Sequence, residues 1–463
     1  MLSIFLQTFN WESFTLVDYL YTPYLVLIAV IAAYIHQKKK VKENPVYKYF
    51  LPGLVTKIVF ALIFLLIFTE YYGYGDTIDY FKGSVSVSKL MLKDPGHFFS
   101  VLFGIADHNT SWYFFDADTA WPPHYLWKGN NTRFVISISS FFTTLGGRAF
   151  MPATILLAIF SYLGIWKLFL LFNEHFPHVS KHMAIAILFV PSVLFWGSGM
   201  MKDTYTLAAS AWIVYNVFMI FIKKEKIPIN IFLSLLNGII ILTIKPYIFV
   251  ALFPGIVIWV FYYRIKKIKS KIAKVFFVPL MLLISFIIIS AGLSSMEGML
   301  GDYSSIDKAT KKAQIIQEDL LREEQYGSNN YYIGQLDGSL AGLAKLAPLA
   351  VFSGMYRPFL WEARNPVMII SGLENFCLLM LSIYLLVKLK IIGFFRLIFS
   401  DPLLIFSMLF ALFFLFGVGI ASTNFGALVR YKIPAMPFLI ATMFIMLAKY
   451  NELKKNLARK DEL

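Results

Sequence analysis

"LPGLVTKIVFALIFLLIFTEYYGYGDTIDYFKG", residues Leu51–Gly83, decides how the chain is read. From Leu51 to Phe68 it is apolar almost without interruption, and a helix of roughly 17–25 such residues crosses a hydrocarbon core of about 30 Å. The polar turn follows at once and carries two acids, Asp76 and Asp79. Similar apolar runs recur along the whole sequence. Of its 463 residues 58% are hydrophobic and only 15% are charged, against about a quarter charged in soluble domains. The runs do not alternate apolar with polar residues, as barrel strands of roughly ten residues do. The expected class is all-α, a polytopic transmembrane helical bundle.

A net charge of +15 could suggest a nucleic-acid partner. The basic residues, however, fall in short clusters between apolar runs, such as "HQKKKVK", "KKEK", "RIKKIKSKIAK" and the tail "KYNELKKNLARK". That is the positive-inside pattern of a membrane protein, so no nucleic acid is expected. Orienting the runs by these clusters gives about eleven spans, within a range of about 10–13. They are Leu20–Tyr34, Leu51–Phe68, Met151–Phe172, Met183–Phe195, Tyr205–Ile222, Ile231–Ile244, Phe249–Tyr263, Val275–Ala291, Met368–Val387, Leu404–Ile420 and Pro434–Leu447. The reading is of one integral membrane domain over 1–463 in the plasma (inner) membrane, N-terminus outside and C-terminus in the cytoplasm. Two long extracytoplasmic loops, 70–132 and 292–366, contain interfacial helices. Arg133–Leu145 is too short for a span and reads as a partial helix. In the second loop Ile306, Ala309, Ala313, Ile316 and Leu320 share one helical stripe, as on a surface helix.

Several classes fall away. The single cysteine, Cys377, gives neither a disulfide framework nor a cysteine metal site. The N-terminus has no basic n-region, so no cleavable signal is expected. The last four residues spell KDEL, but behind a cytoplasmic basic tail a luminal receptor would not meet them. No glycine-rich phosphate loop points to an ATPase or dinucleotide enzyme. No internal repeat indicates a transporter built from two halves.

Asp76 and Asp79 are three apart, hence on one helical face. Ionisable groups near a hydrocarbon core tend to be functional, although Asp also favours helix starts as a cap. Four outer loops each present a cation: Lys202 beside Asp203, Lys245 near Tyr247, Arg357 with Glu362 and Arg364, and Arg430 with Tyr431 and Lys432. Positive charge outside runs against the orientation rule. It suits a lipid phosphate or diphosphate, which Arg holds bidentately and Lys as a point charge. The plainer reading pairs Lys202 with Asp203 and Arg357 with Glu362, and lets the rest snorkel to headgroups. The aromatic loop with Trp112, Tyr113, Trp121, Tyr125 and Trp127 reads as an interfacial belt or as rings that stack on sugars. His108 and His124 with Asp107, Asp116 and Asp118 lack the tight spacing of a metal site, so no cofactor is expected. Glu374 lies within a span, where it can bond within a site or to a neighbouring helix.

"GDTIDYF", together with "PSVLFWGSGMMKD" and "RYKIPAMPF", resembles the GT-C class of membrane glycosyltransferases and the bacterial membrane proteins of surface-polysaccharide assembly. The resemblance covers the general layout of most of the chain. It implies an enzyme that moves a sugar from a polyprenyl-phosphate or -diphosphate carrier to a glycan or lipid acceptor at the outer face. Asp76 would be the base and Asp79 its neighbour. Lys202, Lys245, Arg357, Arg430 and Lys432 would hold the lipid phosphate, supported by Asp203, Tyr247, Glu362 and Tyr431. The alternatives are a polymerase that joins lipid-linked repeat units, and a flippase that moves them without chemistry. A flippase should show charges deep in several spans, and here only Lys57, Lys167 and Glu374 lie in apolar runs.

Overall fold

The computed structural model describes residues 14–266, 276, 279–288, 291, 305–320, 330–334, 336 and 340–461, and among them the chain is helical with no strand ladder. In chain order the helices are α1 (Leu16–Lys40), α2 (Phe50–Leu66), α3 (Asp76–Lys93), α4 (Pro95–Leu102), α5 (His108–Trp112), α6 (His124–Trp127), α7 (Asn130–Leu145), α8 (Phe150–His175), α9 (Ser180–Leu188), α10 (Pro191–Trp196), α11 (Lys202–Val217), α12 (Ile227–Ile244), α13 (Pro246–Lys266), α14 (Pro279–Ile288), α15 (Ile306–Leu320), α16 (Leu340–Tyr356), α17 (Pro366–Ile398), α18 (Pro402–Ala421), α19 (Phe425–Tyr431) and α20 (Met436–Asp461).

Seven helices among the described residues are long and apolar enough to cross a membrane, or eight if α19 and α20, bent by 69°, make one span. This is the fold of a multi-pass membrane protein. The count is lower than the expected eleven or so, for local reasons. Met183–Phe195 is split into α9 and α10. Pro191 lacks an N–H and disfavours helix in the residue before it, so a continuous run of apolar side chains breaks into two short pieces. Phe249–Tyr263 lies within α13, whose apolar part, Pro246–Tyr262, is at the short end of what crosses a membrane and is not among the seven. Of Val275–Ala291 only α14 and residues 276 and 291 are described, so the expected span lies partly outside the described residues. The start of the second long loop, 292–304, lies outside them too.

The chain divides into two compact units. The first comprises Met1–Lys167, Leu194–Ala211 and Thr243–Lys245. Here the first expected loop is helical throughout much of its length, and α3 packs along α7. Small polar side chains let the two helices approach, as they do inside membranes. Ser84 and Thr143 share a hydrogen bond of 2.7 Å, and Ser88 and Thr144 one of 2.8 Å. Buried Asp18 ties the start of α1 to the start of α8, accepting from the backbone N–H groups of Thr15 at 2.8 Å and Met151 at 2.7 Å.

The second unit comprises Leu168–Val193, Trp212–Leu242 and Pro246–Leu463. Its centre is α18, which packs on α13, α16 and α20. Trp259 stacks on Phe406 with ring centroids 5.3 Å apart, and Phe410 meets Phe438 edge-on at 5.1 Å. α16 crosses α18 at backbone distance. A Cβ on Gly419 would sit 2.0 Å from the Ala350 carbonyl oxygen, and one on Gly354 2.5 Å from that of Leu415. The expected surface helix is α15, and it lies on protein. Gln317 and Leu320 are buried, Ile316 is half-buried, and Gln317 Nε2 donates to the Gly334 carbonyl at 3.1 Å. The side chains of Ile306 and Ala309 lie outside the described residues.

Candidate functional site

The acid pair is built by a change of backbone. α2 ends in a π-helical turn, Ile67–Tyr72, and Gly73 follows with φ 70°. Gly75, with φ 139°, caps α3 through its carbonyl. A side chain is doubly disfavoured at Gly75, since a Cβ would also meet the Phe68 ring at 2.9 Å. Asp76 and Asp79 therefore both fall in the first turn of α3, half-buried. The unpaired N–H groups and the dipole of a helix start favour negative charge there. The acids thus sit at a helix start, while their side chains stay partly accessible.

Tyr125 on α6 completes this corner. Its hydroxyl donates to Asp79 Oδ2 at 2.5 Å. Loss of water around the phenol, then the Asp79 carboxylate and the nearby Asp76, push its ionisation well above the ordinary tyrosine value. It stays a proton donor at neutral pH, and it pins Asp79 rather than Asp76. The sequence offered Tyr125 only as one ring among several. Nothing in its spacing from Asp79 marked it as a partner.

"GSGMMKD" folds as a tight turn leading into α11. Gly199 lies under the Phe64 ring, so close that a Cβ would come within 2.0 Å of it. The buried ammonium of Lys57 donates to the Gly197 carbonyl at 2.5 Å, and Ser161 Oγ donates to the same oxygen at 3.2 Å. Lys202 opens α11 and is half-buried. The fully buried Asp203 takes Lys245, at 2.5 Å. Asp203 thus pairs with Lys245 from another part of the chain, while its neighbour Lys202 points elsewhere, as consecutive helical residues do. Lys245 is itself only 7% exposed and holds this carboxylate within the unit.

In the second unit Arg357 forms a bidentate ion pair with Glu362, as the plainer reading held. Its guanidinium also lies over the rings of Tyr331, 4.4 Å away, and Phe425, 5.1 Å away. Tyr331 in turn donates to the Ser422 carbonyl at 2.6 Å. Lys432, expected on a phosphate, is fully buried, with its ammonium on Asn375 Oδ1 at 2.5 Å and on the Arg357 carbonyl at 3.2 Å. It is a structural cation that joins α17 to the corner before α20. Arg430, in the last turn of α19, lies over the Tyr431 ring at 5.6 Å. Glu374 accepts from Ser192 twice, from the backbone N–H at 2.9 Å and from Oγ at 2.7 Å, and so caps α10 from a neighbouring helix. Tyr247 stacks on Phe414 at 6.0 Å. With Tyr431 it borders a cavity of about 700 Å³ whose other walls are mostly aliphatic and aromatic side chains of α13, α14 and α18. Its chemistry suits a hydrocarbon chain.

The three aspartates considered for a metal hold other partners. Asp107 caps α5 by accepting from the Thr110 N–H at 2.7 Å. Asp116 and Asp118 both hold Lys93, at 2.6 and 2.7 Å. Among the described residues no group of three or more His, Cys, Asp or Glu converges. No family model, curated protein or solved structure matches the chain, so its reading rests on this geometry.

Proposed function

We propose that the protein is a membrane glycosyltransferase that takes its sugar from a polyprenyl-phosphate or -diphosphate carrier. The observation that carries this reading is the pair Asp76 and Asp79 at the first turn of α3, directly after a membrane-spanning helix, with one acid pinned by Tyr125. A sugar hydroxyl is a poor nucleophile until its proton is taken. In this reading the Asp76 carboxylate accepts that proton as the hydroxyl oxygen bonds to the anomeric carbon. The bond from that carbon to the carrier phosphate breaks, and the electron pair leaves with the phosphate. Asp79, held by Tyr125, orients the acceptor. Lys202 offsets charge on the leaving phosphate, since a fixed cation stabilises charge that develops in the transition state.

The test is sugar transfer from a lipid-linked donor by the purified protein. Asp76→Asn is expected to keep the thermal stability of the wild type and to lower turnover by about 10²–10⁴-fold, the usual contribution of a general base. Wild-type turnover in Asp76→Asn ends the assignment. An inactive Asp79→Asn beside an active Asp76→Asn moves the base three residues along. A ladder of products from lipid-linked repeat units selects the polymerase reading, and movement of the donor without a new glycosidic bond selects the flippase.

A further inference from the structure

α5 and α6 enclose a bowl of about 260 Å³ on the first unit. That is below the roughly 300 Å³ at which pockets for drug-sized ligands begin, so it suits a single ring. Trp127 forms a buried floor, fixed by its indole N–H, which donates to Ser111 Oγ at 3.1 Å, and by the edge of Phe115 at 5.1 Å. Trp112 stands edge-on to His124 at 4.9 Å, and Tyr113 is 85% exposed at the rim. His108, Asn109 and Lys128 complete the lining. We propose that this bowl is a subsite for one neutral or acidic pyranose.

The chemistry argues for a sugar on both of its faces. A pyranose presents C–H groups on one side, which pack on aromatic rings, and hydroxyls around its edge, which need donors and acceptors. The bowl offers indole and phenol rings beside an amide, two imidazoles and an ammonium. It contains no carboxylate, so a cationic ligand has no partner there. An interfacial belt needs rings pointing outward singly, whereas these rings surround a volume. The bowl is also coupled to the acid pair. The four-residue helix α6 carries His124 and Trp127 of the bowl, and Tyr125, which bonds Asp79. A sugar seated in the bowl lies against the same short helix that positions the acid. Naming that sugar as the acceptor rests on the proposed glycosyl transfer, but the binding itself does not.

The experiment is saturation-transfer NMR on the full chain in lipid nanodiscs, since a maltoside detergent would itself compete. The probes are methyl glycosides of glucose, galactose, N-acetylglucosamine and glucuronic acid. At least one should receive saturation, strongest on the C–H protons of one ring face. Trp112→Ala and Tyr113→Ala should each weaken binding about tenfold, the size of an aromatic contact. Tyr113→Ala guards against misfolding, because its side chain is exposed. The proposal is overturned if no glycoside receives saturation, if both variants bind as the wild type does, or if inorganic phosphate at equal concentration abolishes the effect. Binding without any transfer activity would leave the bowl standing and remove the enzyme. Transfer without binding would do the reverse.

Discussion

A carboxylate pinned by one donor has a fixed direction, and the donor can be removed without touching the acid. Tyr125→Phe deletes only the hydroxyl that reaches Asp79. The fold should hold and transfer should fall about tenfold, consistent with a hydrogen bond to a charged group worth roughly 1.5–3 kcal/mol before solvent weakens it. An unchanged kcat/KM would show that Asp79 needs no anchor. The buried pair Asp203–Lys245 makes the opposite kind of prediction, about stability. Lys245→Met leaves a buried carboxylate without its cation, which costs about 3–5 kcal/mol, whereas replacing both partners with apolar residues is often neutral. Thermal unfolding should therefore show a large loss in Lys245→Met and recovery in the double variant Asp203→Leu, Lys245→Met. Equal losses in both would mean that the pair is not what holds this turn. The sequence showed the charges here but not their partners. Asp203 stood next to Lys202, and its bond runs to a lysine forty-two positions further on. That choice is made by the fold and leaves no trace in local spacing.

At the scale of elements, periodicity was readable where one helix faced one environment, and it failed where a proline or a close crossing intervened. The crossing of α16 and α18 depends on Gly419, which lies against the Ala350 carbonyl, while Gly417 one half-turn earlier has open space around it. Gly419→Ala should lower stability by about 1–3 kcal/mol or more, since a well-packed crossing cannot absorb even a methyl group. Gly417→Ala should be close to neutral, and unfolding the two side by side decides the point. A second element-scale prediction concerns the segment after α5, where Lys93 clamps Asp116 and Asp118. The hydrogen bond from Lys93, then that from the Thr119 N–H, holds the Asp116 carboxyl down to about 2. A depressed carboxyl contributes stability above its ordinary value of 3.8 and loses it as pH falls through about 2. Hydrogen exchange of residues 114–119 should therefore remain protected from neutral pH down to about pH 3.8 and open below it, nearer pH 2. Lys93→Met should open the segment at neutral pH. Exchange in Lys93→Met that matches the wild type at neutral pH would show that the clamp does not order it.

For the whole molecule, the class follows from composition, because only helices satisfy every backbone group inside lipid without a closed barrel. The number of crossings does not follow so directly. Apolar length gives an upper limit, and the breaks at Pro191 and in the 69° bend between α19 and α20 reduce it. Orientation is a separate matter, resting on where the basic clusters lie. With seven or eight candidate spans among the described residues, and shorter apolar helices beside them, the parity of the termini is a real question, since an odd count puts them on opposite sides and an even count on the same side. Labelling settles it. With Cys377 first replaced by serine, single cysteines at Asp118 and Glu225 are exposed to an impermeant thiol reagent on intact cells. Asp118 lies in the first long polar segment and Glu225 in the basic "KKEK" cluster, and both side chains are solvent-exposed. The positive-inside rule expects Asp118→Cys to label at once and Glu225→Cys only after the membrane is opened. The reverse pattern would place the acid pair, the aromatic bowl and Tyr125 on the cytoplasmic side. A sugar donor would then have to be met before its carrier is flipped, and the outer-face chemistry proposed for Asp76 would fail even with its geometry intact.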